Sequence, residues 1–288
     1  MNASRPAVGF GLDLAGYGQG KTSLAAIEPK GNAADVTLLL KSVFSPKRKF
    51  DLNEPLAKIV TLEIQTLRTC LVSGPVAIDV PIDLQNLRAP KSCKRPWELT
   101  FRPVDKALTA LAPLASLIGA PVARFRHIVE EGQFIVPKSS QDFETQNTIF
   151  ETYPKGTLRL WWSDDDKDVK EYKNKKDAKK AANARRNLCA RLNVRLDEVI
   201  EELTDDDIDA ILCSLAAVAV ESEVWTEDDL KRRLKERFGE GRHKLSEEDV
   251  ANARLPKNYR ILKAHNPFTE IRVKAKPFDD WMKVRSPK

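Results

Sequence analysis

The segment PAVGFGLD (6–13) decides the fold. It is an apolar, glycine-containing run that closes on a single acid, the pattern of a buried strand that delivers one carboxylate to the end of a sheet. A turn-rich stretch, LAGYGQGK (14–21), follows, and the strand signal then returns twice. TSLAAIE (22–28) and DVTLLLKSVF (35–44) are apolar or β-branched runs separated by the turn formers PKGNAA (29–34), so the first three strands are expected to form an antiparallel meander. Asn53 is placed to cap a helix that starts at Glu54-Pro55, because Pro in a first helical turn loses no hydrogen bond. Leu56, Ile59, Val60, Ile64, Leu67 and Leu71 then fall on one face of that helix.

Ser73-Gly74-Pro75 ends the helix. VAIDVPI (76–82), an apolar run with one acid and a terminating proline, predicts a central parallel strand with Asp79 near its C-terminal tip. A helix is expected around 103–118, and TIFETYP (148–154) predicts a further strand carrying Glu151. The basic stretch 167–192 is expected to be helical and to decorate the core. Thr204 caps DDDIDAILCSLAAVAVES (205–222), whose acids crowd the first turn and whose remainder is small and apolar, as in a buried helix. Beyond Ser222 the composition turns charged and then irregular around LPKNYRILKAHNPF (255–268). The expected organisation is therefore an α/β domain over 1–222 with a basic helical insertion at 162–192, and a charged C-terminal extension over 223–288 packed on it or appended to it.

With 288 residues and 32.4 kDa the chain is long enough to bury a full α/β core. Its four cysteines (Cys70, Cys93, Cys189, Cys213) form no CxxC pair, which argues against a zinc knuckle or disulfide framework and for a reducing cytoplasm. The three histidines, His127, His243 and His265, have the spacing of neither a metal pair nor a triad. The N-terminus lacks the pattern of a signal peptide, and no run approaches the roughly 20 apolar residues of a membrane helix, so a soluble, intracellular protein is expected. The net charge is +6 with a pI near 9.0, and it is concentrated in KDVKEYKNKKDAKKAANARRNLCARL (167–192) and LKRRLKERFGEGRHK (230–244). Clustered cations favour polyanions through counterion release, which makes nucleic acid a natural partner. The same charges equally suit a solvated helix face or a surface for a protein partner.

The acids carry the chemistry. Asp13 and Asp79 stand at the tips of the first and fourth expected strands, and ligands of open α/β sheets gather at carboxyl ends of strands. Asp206 and Asp209 share a helix face, being three residues apart. One acid at a strand end is ordinarily a turn residue, and acids at a helix start ordinarily complement its dipole. Several together on apolar central elements repel one another and lose hydration unless a cation neutralises them. Oxygen donors without His or Cys point to Mg2+ or Mn2+.

Five motifs carry a resemblance: Gly11-Leu-Asp13-Leu-Ala-Gly16, Ala77-Ile-Asp79-Val-Pro81, Arg102-Pro-Val-Asp105, Phe150-Glu151-Thr-Tyr153-Pro154 and Asp206-Asp-Ile-Asp209-Ala210. In order and approximate spacing, over about 6–220, the chain resembles a family of uncharacterised, predicted ribonuclease H-like nucleases grouped as domain of unknown function 429. The last motif also looks like the D-x-x-D-A helix of Holliday-junction resolvases, which share that fold. The resemblance implies a ribonuclease H-like mixed five-stranded sheet flanked by helices, with the first and fourth strands side by side. It also implies a two-metal phosphodiesterase site with Asp13, Asp79, Glu151, Asp206 and Asp209 as catalytic candidates. Asp13, Asp79, Asp206 and Asp209 are the metal candidates. In such a site two ions about 3.5 to 4 Å apart bind the scissile phosphate. Lys21, Arg102 and, in the insertion, Lys175, Lys176, Lys179, Arg185 and Arg186 are candidate phosphate or nucleic-acid contacts. Arg102 and Asp105 equally suit an ordinary surface ion pair. The long basic insertion after Glu151 and the tail depart from the family pattern.

Three other readings compete. Ala15-Gly-Tyr-Gly-Gln-Gly20-Lys21-Thr22 satisfies a relaxed phosphate-loop pattern, but such a loop needs a helix starting at Lys21-Thr22, and TSLAAIE suits a hairpin strand better. Actin-like ATPases and sugar kinases share a Gly-x-Asp strand followed by a glycine-rich hairpin, yet their second phosphate and adenosine motifs are not found here. A non-catalytic scaffold that keeps the acids for structure and binds nucleic acid or protein through its basic segments is the third. Trp161 and Trp162 suit stacking on a nucleotide, though paired tryptophans at a strand end ordinarily pack.

Overall fold

The computed structural model describes residues 5–15, 22–40, 56–83, 101–110, 116–134, 148–237, 245–256, 258–263 and 266–283. The expected meander forms: β1 (Gly9–Asp13) pairs antiparallel with β2 (Ser23–Lys30), and β2 with β3 (Ala33–Leu40). Gly31, at φ +61°, and Asn32 close the second hairpin, where a left-handed backbone suits a residue without Cβ. Helix α1 (Leu56–Ser73) buries Ile64, Leu67 and Leu71 on the expected face. Asn53 and the side chains of Leu56, Ile59 and Val60 lie outside the described residues. Next, β4 (Val76–Ile78) lies parallel beside β1.

The helix expected over 103–118 is two helices. α2 (Pro103–Ala107) stops before Thr109, whose φ of +52° cannot continue a helix, and α3 (Ser116–Gly132) begins later. Strand β5 (Ile149–Glu151) then pairs parallel with β4, and α4 (Pro154–Trp162) starts immediately, with Pro154 in its first turn. The basic stretch forms α5 (Lys167–Glu171) and α6 (Ala178–Arg191), capped by the side chains of Asp166 and Asp177. It leads into β6 (Val194–Leu196) and α7 (Asp205–Val218), which Thr204 caps in a reciprocal box with Asp207. α8 (Glu227–Glu236), α9 (Glu247–Ala251), β7 (Glu270–Pro277) and α10 (Phe278–Lys283) complete the order.

The sheet has seven strands, in the order β5-β4-β1-β2-β3-β7-β6, where five were expected. Of the two extra strands, β7 comes from the segment expected to be an extension, and β6 from the short stretch that follows the basic insertion. EIRVKAKP (270–277) alternates buried Ile271 and Val273 with exposed Arg272, the pattern of a strand covered on one face, and it pairs parallel with the length of β3. β6 adds three residues beyond it. On the other flank of the sheet, Glu151 N donates to Asn258 O and Arg260 N donates to Glu151 O, both at 2.7 Å, so the C-terminal segment also pairs beside β5.

Side-chain alternation along β1 and β2 divides the core. Phe10, Leu12, Leu24 and Ala26 face one layer with Leu67, Leu71 and Phe125 of α1 and α3. Ala25, Ile27 and Phe150 face the other, which is dominated by α7 through Ile211, Leu215 and Val218. Gly11 belongs to that second face: a Cβ there would lie 1.9 Å from Ala210 O and 2.2 Å from Ser214 N, so α7 rests directly on the β1 backbone. Arg260 fastens the far end of α7 by donating to the carbonyls of Ala216 and Ala217 while its guanidinium lies 3.8 Å from the Phe150 ring. Among the described residues no helix is long and apolar enough to cross a membrane.

Candidate metal centre

The site is built by register. The parallel pairing of Leu12 with Ile78 sets Asp13 and Asp79 beside each other at the ends of adjacent strands, and Asp79 N donates to Leu12 O at 3.0 Å. Close seating of α7 on Gly11 then brings Asp209, one turn into the helix, over the same strand ends. One carboxylate oxygen from each of Asp13, Asp79 and Asp209 lies within 4.8 Å of the others. Asp209 is fully buried, and Asp13 and Asp79 are half-buried.

Two further residues complete this centre. Tyr172, fully buried just after α5, donates its hydroxyl to Asp209 Oδ1 at 3.0 Å. Lys173 places its ammonium against Asp209 Oδ2, with 32% of its side chain exposed. Apart from that ion pair, Oδ2 accepts no hydrogen bond although it is buried. Neither residue stood out in the sequence: Lys173 is one of many lysines in the basic stretch, and Tyr172 shows only as an apolar position three residues after Val169.

Burial drives the electrostatics. It raises the Asp13 carboxyl well above its ordinary range, with Lys173 opposing and Asp209, Asp79 and Asp206 adding repulsion. Asp79 is raised to about 7 by burial, with Lys173 again opposing and Asp209 and Glu151 repelling. Asp209 is raised by burial and held back by Lys173 and Tyr172. For Lys173, desolvation would favour the neutral amine, but Asp209, Asp13 and Asp79 outweigh it and hold the ammonium charged. Lys155, at the start of α4, lies 5.7 Å from the Tyr172 ring, and burial, then Arg159 and Lys173, push its pKa down.

The other nominated residues separate into groups. Asp206 is half-buried at the first turn of α7, close enough to be raised to about 6 by burial and the neighbouring Asp205, but it lies outside the three-carboxylate cluster. Glu151, buried on β5, is not in the cluster either. Arg102 binds both its oxygens, at 2.7 and 2.8 Å, and Ile82 N donates to it at 2.7 Å. Arg102 also grips Asp105, at 2.7 and 3.0 Å, so this is a buried three-residue network rather than a surface pair, and the guanidinium is turned inward. Lys21 lies outside the described residues, as does most of the phosphate-loop-like segment; the next element, Ser23–Lys30, is a strand, where a phosphate loop requires a helix. Lys175, Lys176, Lys179 and Arg186 are exposed around α6, while Arg185 pairs with Glu202 at 2.9 Å. Trp161 is buried in the core, and Trp162 is covered by the Arg191 guanidinium at 3.9 Å.

Three convergent carboxylate donors, with no imidazole among them, suit a hard divalent cation better than a soft one. The buried Cys213 thiol beneath them is held protonated by burial and by the acids around it, so it adds no thiolate ligand. Comparison of the chain with protein-family models, with curated proteins and with solved structures finds no match in any of the three.

Proposed function

We propose that the chain is a divalent-metal-dependent nuclease of ribonuclease H-like architecture that hydrolyses phosphodiester bonds with Mg2+ or Mn2+ held by Asp13, Asp79 and Asp209. The observation that carries this reading is the meeting of those three carboxylates, within 4.8 Å, at the carboxyl ends of two adjacent parallel strands under a buried helix. The side-by-side placement of the first and fourth strands supports the architectural part. A bound divalent cation there supplies Lewis acidity toward a phosphate oxygen and lowers the pKa of a water. Asp13 and Asp79 present half-buried oxygens to it, and Tyr172 fixes the orientation of Asp209. Lys175, Lys176, Lys179 and Arg186, exposed in the same insertion, extend positive charge along which a polyanion is held. Arg102 and Glu151 brace the ends of β4 and β5 through Ile82 and Asp83. The described cysteines, Cys70, Cys189 and Cys213, are unpaired, which supports a reducing, cytoplasmic setting.

Calorimetric titration of Mn2+ into wild type and Asp13→Asn, followed by incubation with mixed DNA and RNA, tests the proposal. Binding and cleavage by wild type, both lost in the variant, are expected; no binding by either protein refutes it. The salt contact of Lys173 with Asp209 favours one second reading, a non-catalytic scaffold with internally neutralised acids. That reading predicts nucleic-acid binding with neither metal uptake nor cleavage.

A further inference from the structure

We infer that Lys173 occupies the place of a second cation, so that the centre takes one divalent ion rather than two. The inference rests on the metal-binding reading above and fixes its stoichiometry. Asp209 has its Oδ1 on the Tyr172 hydroxyl and its Oδ2 against the Lys173 ammonium, so both oxygens of the buried carboxylate already have a partner and one of those partners is a cation. The ammonium enters from the insertion that carries α5 and α6, and Tyr172 beside it is buried with Val169 in the main core, so the lysine is anchored rather than free on the surface.

Charge counting leads to the same number. Asp13, Asp79 and Asp209 contribute three negative charges when ionised, and Lys173 returns one positive charge. The remainder is neutralised by one divalent ion. A second would leave an excess of positive charge in a partly desolvated site and would have to displace an ammonium from direct contact with a fully buried carboxylate. At the rim, outside the three-carboxylate cluster, Asp205 and Asp206 add negative charge near Asp209 and Lys155 adds positive charge. A compact ammonium carries three donors and no acceptor, so Lys173 faces the cluster with the same sign that a second metal would bring.

The test is a count of Mn2+ bound by the full chain at equilibrium, from the electron paramagnetic resonance signal of free Mn2+, with calorimetry giving affinity. Wild type should bind one ion, and Asp13→Asn none. Lys173→Arg should keep one. Lys173→Met, with one more uncompensated negative charge, should bind two ions or hold its single ion at least ten-fold more tightly. Two ions in wild type, or a Lys173→Met protein with unchanged count and affinity, overturn the inference while leaving the metal site standing. No ion in wild type overturns the metal site itself. Should Lys173→Met fail to fold, as judged by circular dichroism, the wild-type count decides between one and two.

Discussion

Replacing Asp79 with Asn should make the metal-free protein more stable at pH 8 and leave it unchanged at pH 4. The carboxyl ordinarily titrates near 3.8 and in the fold is raised to about 7, first by burial and then by repulsion from Asp209 and Glu151, with Lys173 opposing. Between those two pH values the folded chain holds a proton that the unfolded chain has released, so stability falls as pH rises through the window. Below pH 3.8 the group is protonated in both states and costs nothing; above about 7 it is ionised in both, and the fold bears the whole penalty. At about 1.4 kcal/mol per pH unit the interval is worth about 4 kcal/mol. The three carboxylates titrate together, so a single Asn substitution relieves about 2 to 4 kcal/mol of it. Asparagine keeps the shape and removes the charge. Urea unfolding in chelator at pH 4, 6 and 8 measures the difference, which should grow across the series. Saturating Mn2+ at pH 8 should then stabilise wild type and not the variant. A variant less stable than wild type at pH 8 in chelator would refute the reasoning, because it would make the carboxylate a structural hydrogen-bonding group and not an uncompensated charge.

Neighbouring geometry sets three more expectations. Arg102→Ala strands the buried carboxylates of Glu151 and Asp105 and should cost about 3 to 5 kcal/mol in chemical denaturation; an effect below about 1 kcal/mol would mean the network is solvated. Gly11→Ala should lower the melting temperature sharply and abolish Mn2+ binding, since its Cβ would strike the backbone of the helix that carries Asp209; normal Mn2+ uptake would show that the helix is not seated on the strand. Changing Lys175, Lys176, Lys179 and Arg186 to Gln should weaken duplex binding and reduce the slope of log affinity against log salt by about 0.9 for each phosphate no longer neutralised. An unchanged slope, measured by fluorescence anisotropy, would remove α6 from the interface.

Much of the centre was legible in the linear chain because local patterns determine it. PAVGFGLD and VAIDVPI are apolar runs that each end on or carry one acid, and strands of that kind deliver a side chain to a sheet end whatever surrounds them. The capping box at Thr204 and Asp207 fixes the phase of α7, and with it the face on which Asp209 lies. Glu151 and Arg102 were also visible as residues, but their roles were not. Pairing depends on how the end of β5 meets the turn before α2, and the result is a buried ion pair that keeps Glu151 out of the cluster. The same holds for Asp206, whose shared helix face with Asp209 does not bring it into the three-carboxylate cluster.

What the sequence alone determined is therefore the first five strands, their acids and the capped helix, since hydrophobic period and turn chemistry act over a few residues. The alternation of EIRVKAKP is likewise local and marks a one-sided strand, but its place beside β3 depends on a pairing across most of the chain. Only the tertiary structure decided which cation meets which acid. Lys173 and Lys175 are the same residue type two positions apart; one is pinned on buried Asp209 because Tyr172 anchors the chain there, and the other stands in solvent. Charge complementarity acts through space and leaves no period in the sequence, so the centre's counterion could be found only from the packed fold.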